Sequence, residues 1–564
     1  MTIGAVLLTV AIVLAVAAAV WPGRRFLPAS AAAITTSTGV LFWRFATEDW
    51  ANAYVVSTTR PDLPPLVRLA GLWGGAEGSL LLFTALVALA AVGVEGWSGQ
   101  SRPAAALVAG YGVVILIAAN PFERFDAPAV GGLGLQPVLE HPAMVWHPPI
   151  LYAGLVGVIV PSLLALGDAS AQAIRRATGV ALALLTAGLA TGAAWAHAEL
   201  GWGGFWAWDP IESAGLVAWL GAAATLHVRF DSGSRMLRAL FAVPGLAAIW
   251  ATTLTRAGLT GSVHSFADRP GLRAGLLVVA AGWSGTLVWL VARGASSSAS
   301  SPGWSDRRLA AVSLAGACVL VALGTYEPAI EGAFGGDSVG IAGVFFSRFL
   351  WPLVIVAAVV ILRADARFIA AGIGAACGIV LTPLGAGPFG IALAAAGGAV
   401  AGSAIEAGRH GRRGWLAHVG AGLVLVGIAG TVAATSSQVV LFKDATVTVD
   451  GVSVTHRGLE LVRGSTTESA VASIEVDGRL LQPELVVHRL RNVPTAEAAT
   501  DRSFLNETQV ILSDGTDGQA DYRINRTPRL NLIWIGAAIL AIGLVVPRKR
   551  STGLNVSEHE ALVS

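Results

Sequence analysis

The side chains of this chain best suited to chemistry are indoles and imidazoles. Trp202-Gly203-Gly204-Phe205-Trp206-Ala207-Trp208 places three tryptophans in seven residues, with glycines between them. Asp209-Pro210 follows as a helix start, an acidic N-cap with proline at the first helical position. The expectation is a flat aromatic surface just outside a membrane helix, which suits a large planar ligand. Tryptophan also gathers at headgroup level as a general interfacial belt. Such belts are scattered over many helix ends, whereas here the rings are local and neighbouring segments carry histidines.

Of ten histidines, His410 in a basic loop, His456 and His488 in a β-prone stretch and His559 in a polar tail read as solvated side chains. The other six lie in or beside apolar runs, where an ionisable residue is costly and a functional role is the default expectation. His147 opens a helix at His147-Pro148-Pro149, and His264 lies in the loop Ser262-Val263-His264-Ser265. Both segments flank the tryptophans, so a planar metal macrocycle lying on indole faces would take one imidazole from each flank as axial ligands.

His227 and His418 form a second pair. The run holding His227 enters the membrane near Glu212, which puts the imidazole roughly 22 Å into a hydrocarbon core about 30 Å thick. The run holding His418 enters from the other face near Gly414, so that imidazole lies about 6 Å in. Equal depth on two helices is what bis-His ligation of one membrane haem requires. Hydrogen bonding across a helix contact is the plainer use of such a pair. His141 competes with His147 on sequence alone, and His197 abuts the aromatic segment with Glu199 as an obvious partner.

The elements that must position these groups follow from composition. The chain has 564 residues, 54% hydrophobic and 13% charged, with 68 glycines. Runs of about 20 apolar residues recur along nearly the whole length, the mark of an all-α polytopic membrane protein. About 15 transmembrane helices are expected, the first near 2–21, others near 212–229, 347–363 and 414–435, and the last near 530–547. The run at 2–21 lacks a basic leader and reads as a first span rather than a cleavable signal. A bundle over 1–435 holds the tryptophan loop at 197–214. Residues 436–528 change character to short β-prone runs broken by Asp450-Gly451, Asp477-Gly478 and Asp514-Gly515, a small extracytoplasmic β domain inserted before the last helix at 529–550. A serine-rich linker at Ala295–Pro302 and a disordered tail at 551–564 complete the chain. Arginine-bearing loops, including Arg24-Arg25, Arg175-Arg176, Arg412-Arg413 and Arg548-Lys549-Arg550, put the N-terminus outside and the C-terminus in the cytoplasm. The tryptophan loop is then outside. A net charge of +2 gives no reason to expect a nucleic-acid partner. Cys318 and Cys377 sit in apolar runs without metal or redox spacing.

These residues resemble the CcmF family, the haem lyase component of the cytochrome c maturation system, within the tryptophan-rich WWD superfamily of haem-handling proteins. Trp202 to Ala214 is similar to the WWD signature, Trp73-Gly74-Gly75-Ala76-Glu77-Gly78-Ser79-Leu80 to the family's WGGxEGSLLLW segment, and His147 to Tyr152 to its HPPLLY segment. Leu254 to Ala267 looks like its LTRSG...VHAFA loop, and Trp415-Leu416-Ala417-His418 also fits. The resemblance implies that His147 and His264 ligate incoming haem at an outer site against Trp202, Phe205, Trp206 and Trp208. Those two histidines, Trp202, Trp206, Trp208 and Asp209 would be the catalytic set. It further implies a permanent haem b on His227 and His418, and thioether formation between haem vinyls and the CxxCH thiols of apocytochrome c. The implied setting is the bacterial inner membrane. The implied partners are apocytochrome c, a haem chaperone, other maturation membrane proteins and, as candidate electron donor, quinol. The thiols belong to the partner, in keeping with the cysteines here.

Ala76 stands where the family often has His, and Phe205, Ala207 and Ser213 depart from the usual WWFWDPVENAS, so a smaller platform is expected. A haem exporter or relay without ligation activity is the competing function, although relay members of the superfamily are shorter and lack the β domain. An ion-translocating subunit ranks last, because few carboxylates lie inside the spans.

Overall fold

The computed structural model describes residues 2–21, 25–98, 101–167, 169–199, 201, 204–228, 235–260, 269–294, 306–333, 345–346, 349–350, 353, 356, 368–383, 385–411 and 414–546. In a bilayer every backbone polar group must be satisfied within the segment, so apolar runs become helices. These are α1 Ile3–Val20, α2 Phe26–Ala46, α3 Ala53–Thr58, α4 Pro65–Ala70, α5 Ala76–Ser98, α6 Arg102–Ala118, α7 His147–Leu166 and α8 Ala171–Glu199. They continue with α9 Pro210–Leu226, α10 Arg235–Ala257, α11 Pro270–Ala292, α12 Asp306–Ala333, α13 Phe368–Leu381, α14 Gly387–Arg409, α15 Trp415–Thr431 and α16 Leu530–Val545. Among the described residues, nine helices are long and apolar enough to cross a membrane, and α6, α9, α13, α15 and α16 are shorter apolar helices beside them. The molecule is a multi-pass membrane protein. The expected run at 347–363 falls largely outside the described residues, and the linker and the tail lie wholly outside them.

Small residues let the helices approach closely. A Cβ added at Gly154 would lie 2.7 Å from the Leu185 backbone, and one at Gly188 equally near Leu151 Cα, so α7 and α8 cross almost backbone to backbone. Between α15 and α16, a Cβ at Gly536 would meet the Gly420 carbonyl at 2.7 Å, and one at Gly420 would run into the Leu540 backbone. This contact fixes the rotation of α15 and with it the direction of His418, two residues from Gly420. Gly420→Leu is expected to cost ~1–3 kcal/mol through overpacking, read as a lower Tm in detergent. Gly39, where an added Cβ meets nothing within 4 Å, is the control: Gly39→Ala should leave Tm unchanged or higher. Equal melting of the wild type and Gly420→Leu would refute the close approach.

Ten strands, from β1 Thr435–Phe442 to β10 Gln519–Pro528, lie between α15 and α16. The others are β2 Thr446–Val449, β3 Val452–Arg463, β4 Thr467–Val476, β5 Arg479–Leu481, β6 Glu484–His488, β7 Val493–Glu497, β8 Ala499–Arg502 and β9 Asn506–Gly515. They form two sheets, ordered β1-β10-β9-β8 and β2-β3-β4-β6-β7, with β5 on β4. Leu441, Val454, Ile474, Val510, Leu512, Tyr522 and Ile524 fill the space between them. Asp450-Gly451 and Asp477-Gly478 make the expected hairpin turns, all four residues with positive φ. Asp514-Gly515, expected as a third turn, ends β9 instead, and the connection to β10 falls at 516–518. His456, expected to be solvated, is fully buried, with Nδ1 2.7 Å from the Tyr522 hydroxyl and Nε2 3.2 Å from the Asp517 carbonyl. Both its nitrogens have partners, which removes the cost of burying it.

Candidate functional site

The β domain follows the C-terminal end of α15 and precedes the N-terminal end of α16, so it sits at one end of the bundle. The aromatic loop lies at that end, between α8 and α9. Asp209 is the N-cap of α9, its Oδ1 accepting from the Ile211 N–H at 2.8 Å, and Glu212 Oε2 accepts from the Ala207 N–H at 3.2 Å. Asp209 thus acts as a helix cap that fixes where the loop ends.

The rings of this loop do not share a plane. Trp206 and Trp208 meet edge to face, centroids 6.1 Å apart at 83°, and Phe205 stands edge to face with Trp534 of α16 at 6.4 Å. Trp208 stacks on Phe346 at 4.4 Å and 5°, which covers one indole face. The cause is local: Trp208 has φ +56°, a left-handed conformation uncommon for a bulky residue, and it turns successive rings apart. The expected flat shelf is therefore corrected to a set of half-buried rings at right angles. Trp202 lies outside the described residues.

His147 is the first residue of α7 and is buried. Its Nδ1 lies 3.0 Å from the Gly188 carbonyl and 3.3 Å from Thr191 Oγ1, both on α8. A carbonyl only accepts, so Nδ1 carries the hydrogen and the neutral ring keeps its lone pair on Nε2. Trp195 sits against His147 with centroids 5.7 Å apart, and His141 stacks on the same indole at 6.4 Å and 12°. His141 Nε2 is 3.6 Å from Glu199, and burial lowers its affinity for a proton. The two imidazoles that competed on sequence therefore share one tryptophan. His264 lies outside the described residues.

His227 and His418 come together at the opposite end of the bundle. Their ring centroids are 5.9 Å apart and the rings cross at 89°. His227 is the C-cap of α9, one residue past Leu226, so it stands at the helix end rather than two residues inside a span reaching 229. Nδ1 of His227 lies 2.9 Å from the Ala223 carbonyl and Nδ1 of His418 2.8 Å from that of Gly414. Each Nδ1 therefore carries its hydrogen and leaves Nε2 as the basic nitrogen, the tautomer a metal ligand needs. Two imidazoles joined through one metal by bonds of about 2 Å would have centroids about 6 Å apart, a spacing this pair has, as an ordinary edge-to-face ring pair also does. Arg175 of α8 donates to the Leu226 carbonyl at 2.8 Å and to that of Val228, capping the end of α9 and fixing the backbone at His227.

His197 does not pair with Glu199. Its Nε2 is 2.5 Å from Glu507 Oε1 of β9, both side chains being 2% exposed, and its Nδ1 is 3.0 Å from the Gly204 carbonyl. Gln509 Nε2 donates to the His197 carbonyl at 2.8 Å. Asn525 Nδ2 donates to the Gly201 carbonyl at 3.2 Å and to Gln509 Oε1 at 3.1 Å. Burial opposes the charge on Glu507, but His197 and Arg502 outweigh it and hold the carboxyl below the usual range. Stability from this carboxylate is complete above its ordinary value of about 4.3 and is lost as pH falls through the depressed one. Tm should therefore drop more steeply below about pH 4 in the wild type than in Glu507→Gln, whereas parallel curves would exclude the carboxylate as the cause.

Residues 73–260 match a family model described as cytochrome C assembly protein. The chain is 31% identical to the cytochrome c-type biogenesis protein ccl1 of Rhodobacter capsulatus, over 90% of this chain and 88% of that protein. It is also 31% identical to the cytochrome c-type biogenesis protein CycK of Rhizobium meliloti, over 91% and 87%. Its fold matches a solved structure of the cytochrome c haem lyase CcmF with a TM-score of 0.73 at 21% identity, over 96% of this chain and 95% of that one. Helical bundle, β domain and sequence kinship agree, and the chain belongs to the CcmF family of cytochrome c-type biogenesis proteins.

Proposed function

We propose that the protein is a haem lyase that accepts haem at the end of the bundle carrying the β domain and promotes its attachment to the CxxCH thiols of apocytochrome c. The observation that carries this reading is the crossing of His227 and His418 at haem-ligand spacing, each with Nδ1 tied to a carbonyl. These two residues would hold a resident haem b, which supplies one-electron chemistry when bound.

Substrate haem would lie beneath the β domain with His147 and His264 as axial ligands and Trp202, Phe205, Trp206 and Trp208 against its ring. Gly188 and Thr191 of α8 hold the His147 ring through Nδ1, which fixes its orientation. In each addition a thiol S–H crosses a vinyl double bond, sulfur bonding one carbon and hydrogen the other, with no net oxidation. Among the residues assigned here none is a nucleophile, so the chain acts by holding haem and thiols in register. We place the tryptophan loop and N-terminus outside the bacterial inner membrane and the C-terminus in the cytoplasm. The haem chaperone, the other maturation proteins and quinol would meet the protein within that membrane.

The test is reconstitution with haem, a reductant and a CxxCH peptide. Haem stain that survives denaturing electrophoresis on the peptide is the expected result. Haem that reaches the peptide but washes out on denaturation would make the protein a relay and overturn the lyase reading.

A further inference from the structure

The β domain reaches into the bundle through buried polar groups, and the segment they hold is the aromatic loop. We propose that Glu507, Gln509 and Asn525 are positioning residues that clamp this loop, with His197 as the post they grip. The functional consequence rests on the reading of the loop as the haem-receiving surface.

Glu507 and Gln509 are both on β9 and point the same way, as alternate residues of a strand do. One holds the His197 imidazole and the other the His197 carbonyl. The imidazole passes the constraint on to the Gly204 carbonyl, so the tilt of this ring sets where the loop runs toward Phe205. Asn525, on the neighbouring β10, fixes the Gly201 carbonyl and is itself oriented by Ser436, whose hydroxyl donates to Asn525 Oδ1 at 2.7 Å. Gly201 has φ +58°, and an added Cβ would lie 3.1 Å from Ile511, so this turn is pressed against β9. The loop is thus gripped on either side of residues 202–203. With Nδ1 directed at a carbonyl, one proton must lie between His197 Nε2 and Glu507 Oε1, and the contact is charge-assisted. Removing either partner strands the other in a buried site.

Such a device makes loop geometry depend on the β domain, so a partner that bears on β9 or β10 would be felt at Trp206 and Trp208. The experiment measures amide exchange over residues 204–208, together with covalent attachment and the b-haem spectrum, in full-length wild type, Glu507→Ala, Glu507→Gln and Asn525→Ala. In Glu507→Ala we expect exchange there to rise at least tenfold and attachment to fall at least tenfold. Exchange in β3 and β4 and the spectrum of haem at the far end should hold. Glu507→Gln, whose amide N–H can donate to the Nε2 lone pair, should recover most of both losses. Asn525→Ala removes the grip on Gly201 and the contact to Gln509 while leaving Glu507 on His197, and serves if Glu507→Ala does not fold. Unchanged exchange over 204–208 in folded Glu507→Ala, or in Asn525→Ala where the former does not fold, would overturn the clamp. A loosened loop with normal attachment would uphold the clamp and instead remove the loop from haem handling.

Discussion

Changing His227 and His418 together to alanine is expected to abolish the b-type pyridine haemochrome signal of the purified protein. His147→Ala should leave that signal intact. The expectation follows from placement. The two residues of the double variant cross at 5.9 Å at one end of the bundle, while His147 lies at the other, at the start of α7 and against α8. Loss of one second-sphere hydrogen bond to a metal ligand already costs 10–100-fold in affinity on the usual scale, roughly. Loss of both ligands should therefore leave no haem through purification. Alanine suits the first turn of α15 and the end of α9 on propensity, and circular dichroism checks that the bundle persists. The single variants are more diagnostic. His418→Ala retains one imidazole on α9, and any haem that stays should lose its six-coordinate, low-spin spectrum. A double variant that copurifies with b-type haem at wild-type stoichiometry would place the resident haem elsewhere.

How much of this was legible in the sequence depends on the range of the interaction. The helices were, because each apolar run must satisfy its own backbone in lipid. Two of the three Asp-Gly turns were, because both residues adopt the positive φ a tight hairpin needs. The meeting of His227 and His418 followed from counting rise along two oppositely directed helices, although α9 stops sooner than its apolar pattern suggested. What composition and spacing could not give was any polar contact between the loop and the β domain. His197 and Glu507 are 310 residues apart, and a nearer carboxylate, Glu199, was the natural guess. The flat indole shelf failed for a different reason. It was read from ring density alone, whereas Trp208 takes the left-handed conformation and stacks on Phe346, which no local pattern linked to it. Arg175, read only as loop charge, caps the helix that carries His227.

The second large effect is expected at a residue with no side chain. A Cβ added at Gly192 would lie 2.5 Å from His147 Cε1 and 3.2 Å from each ring nitrogen, closer than any ordinary contact. Gly192→Ala must therefore rotate the imidazole away from Gly188 and Thr191 or push the start of α7 off α8. Either movement takes Nε2 out of register by about an ångström, a displacement that costs about 100-fold where catalysis rests on alignment. Attachment of haem to a CxxCH peptide should fall by that order in Gly192→Ala, close to the loss in His147→Ala. The b-haem spectrum should not change, because His227 and His418 are at the far end of the bundle. Gly188→Ala is the contrast: its Cβ would strike the Leu151 backbone rather than a ring, so it should lower Tm and reduce both signals together. If Gly192→Ala attaches haem at the wild-type rate, the His147 ring is not needed where it lies. His141, stacked on the same Trp195, would then be the imidazole to test, and loss of attachment in His141→Ala with retention in His147→Ala would transfer the ligand role to it.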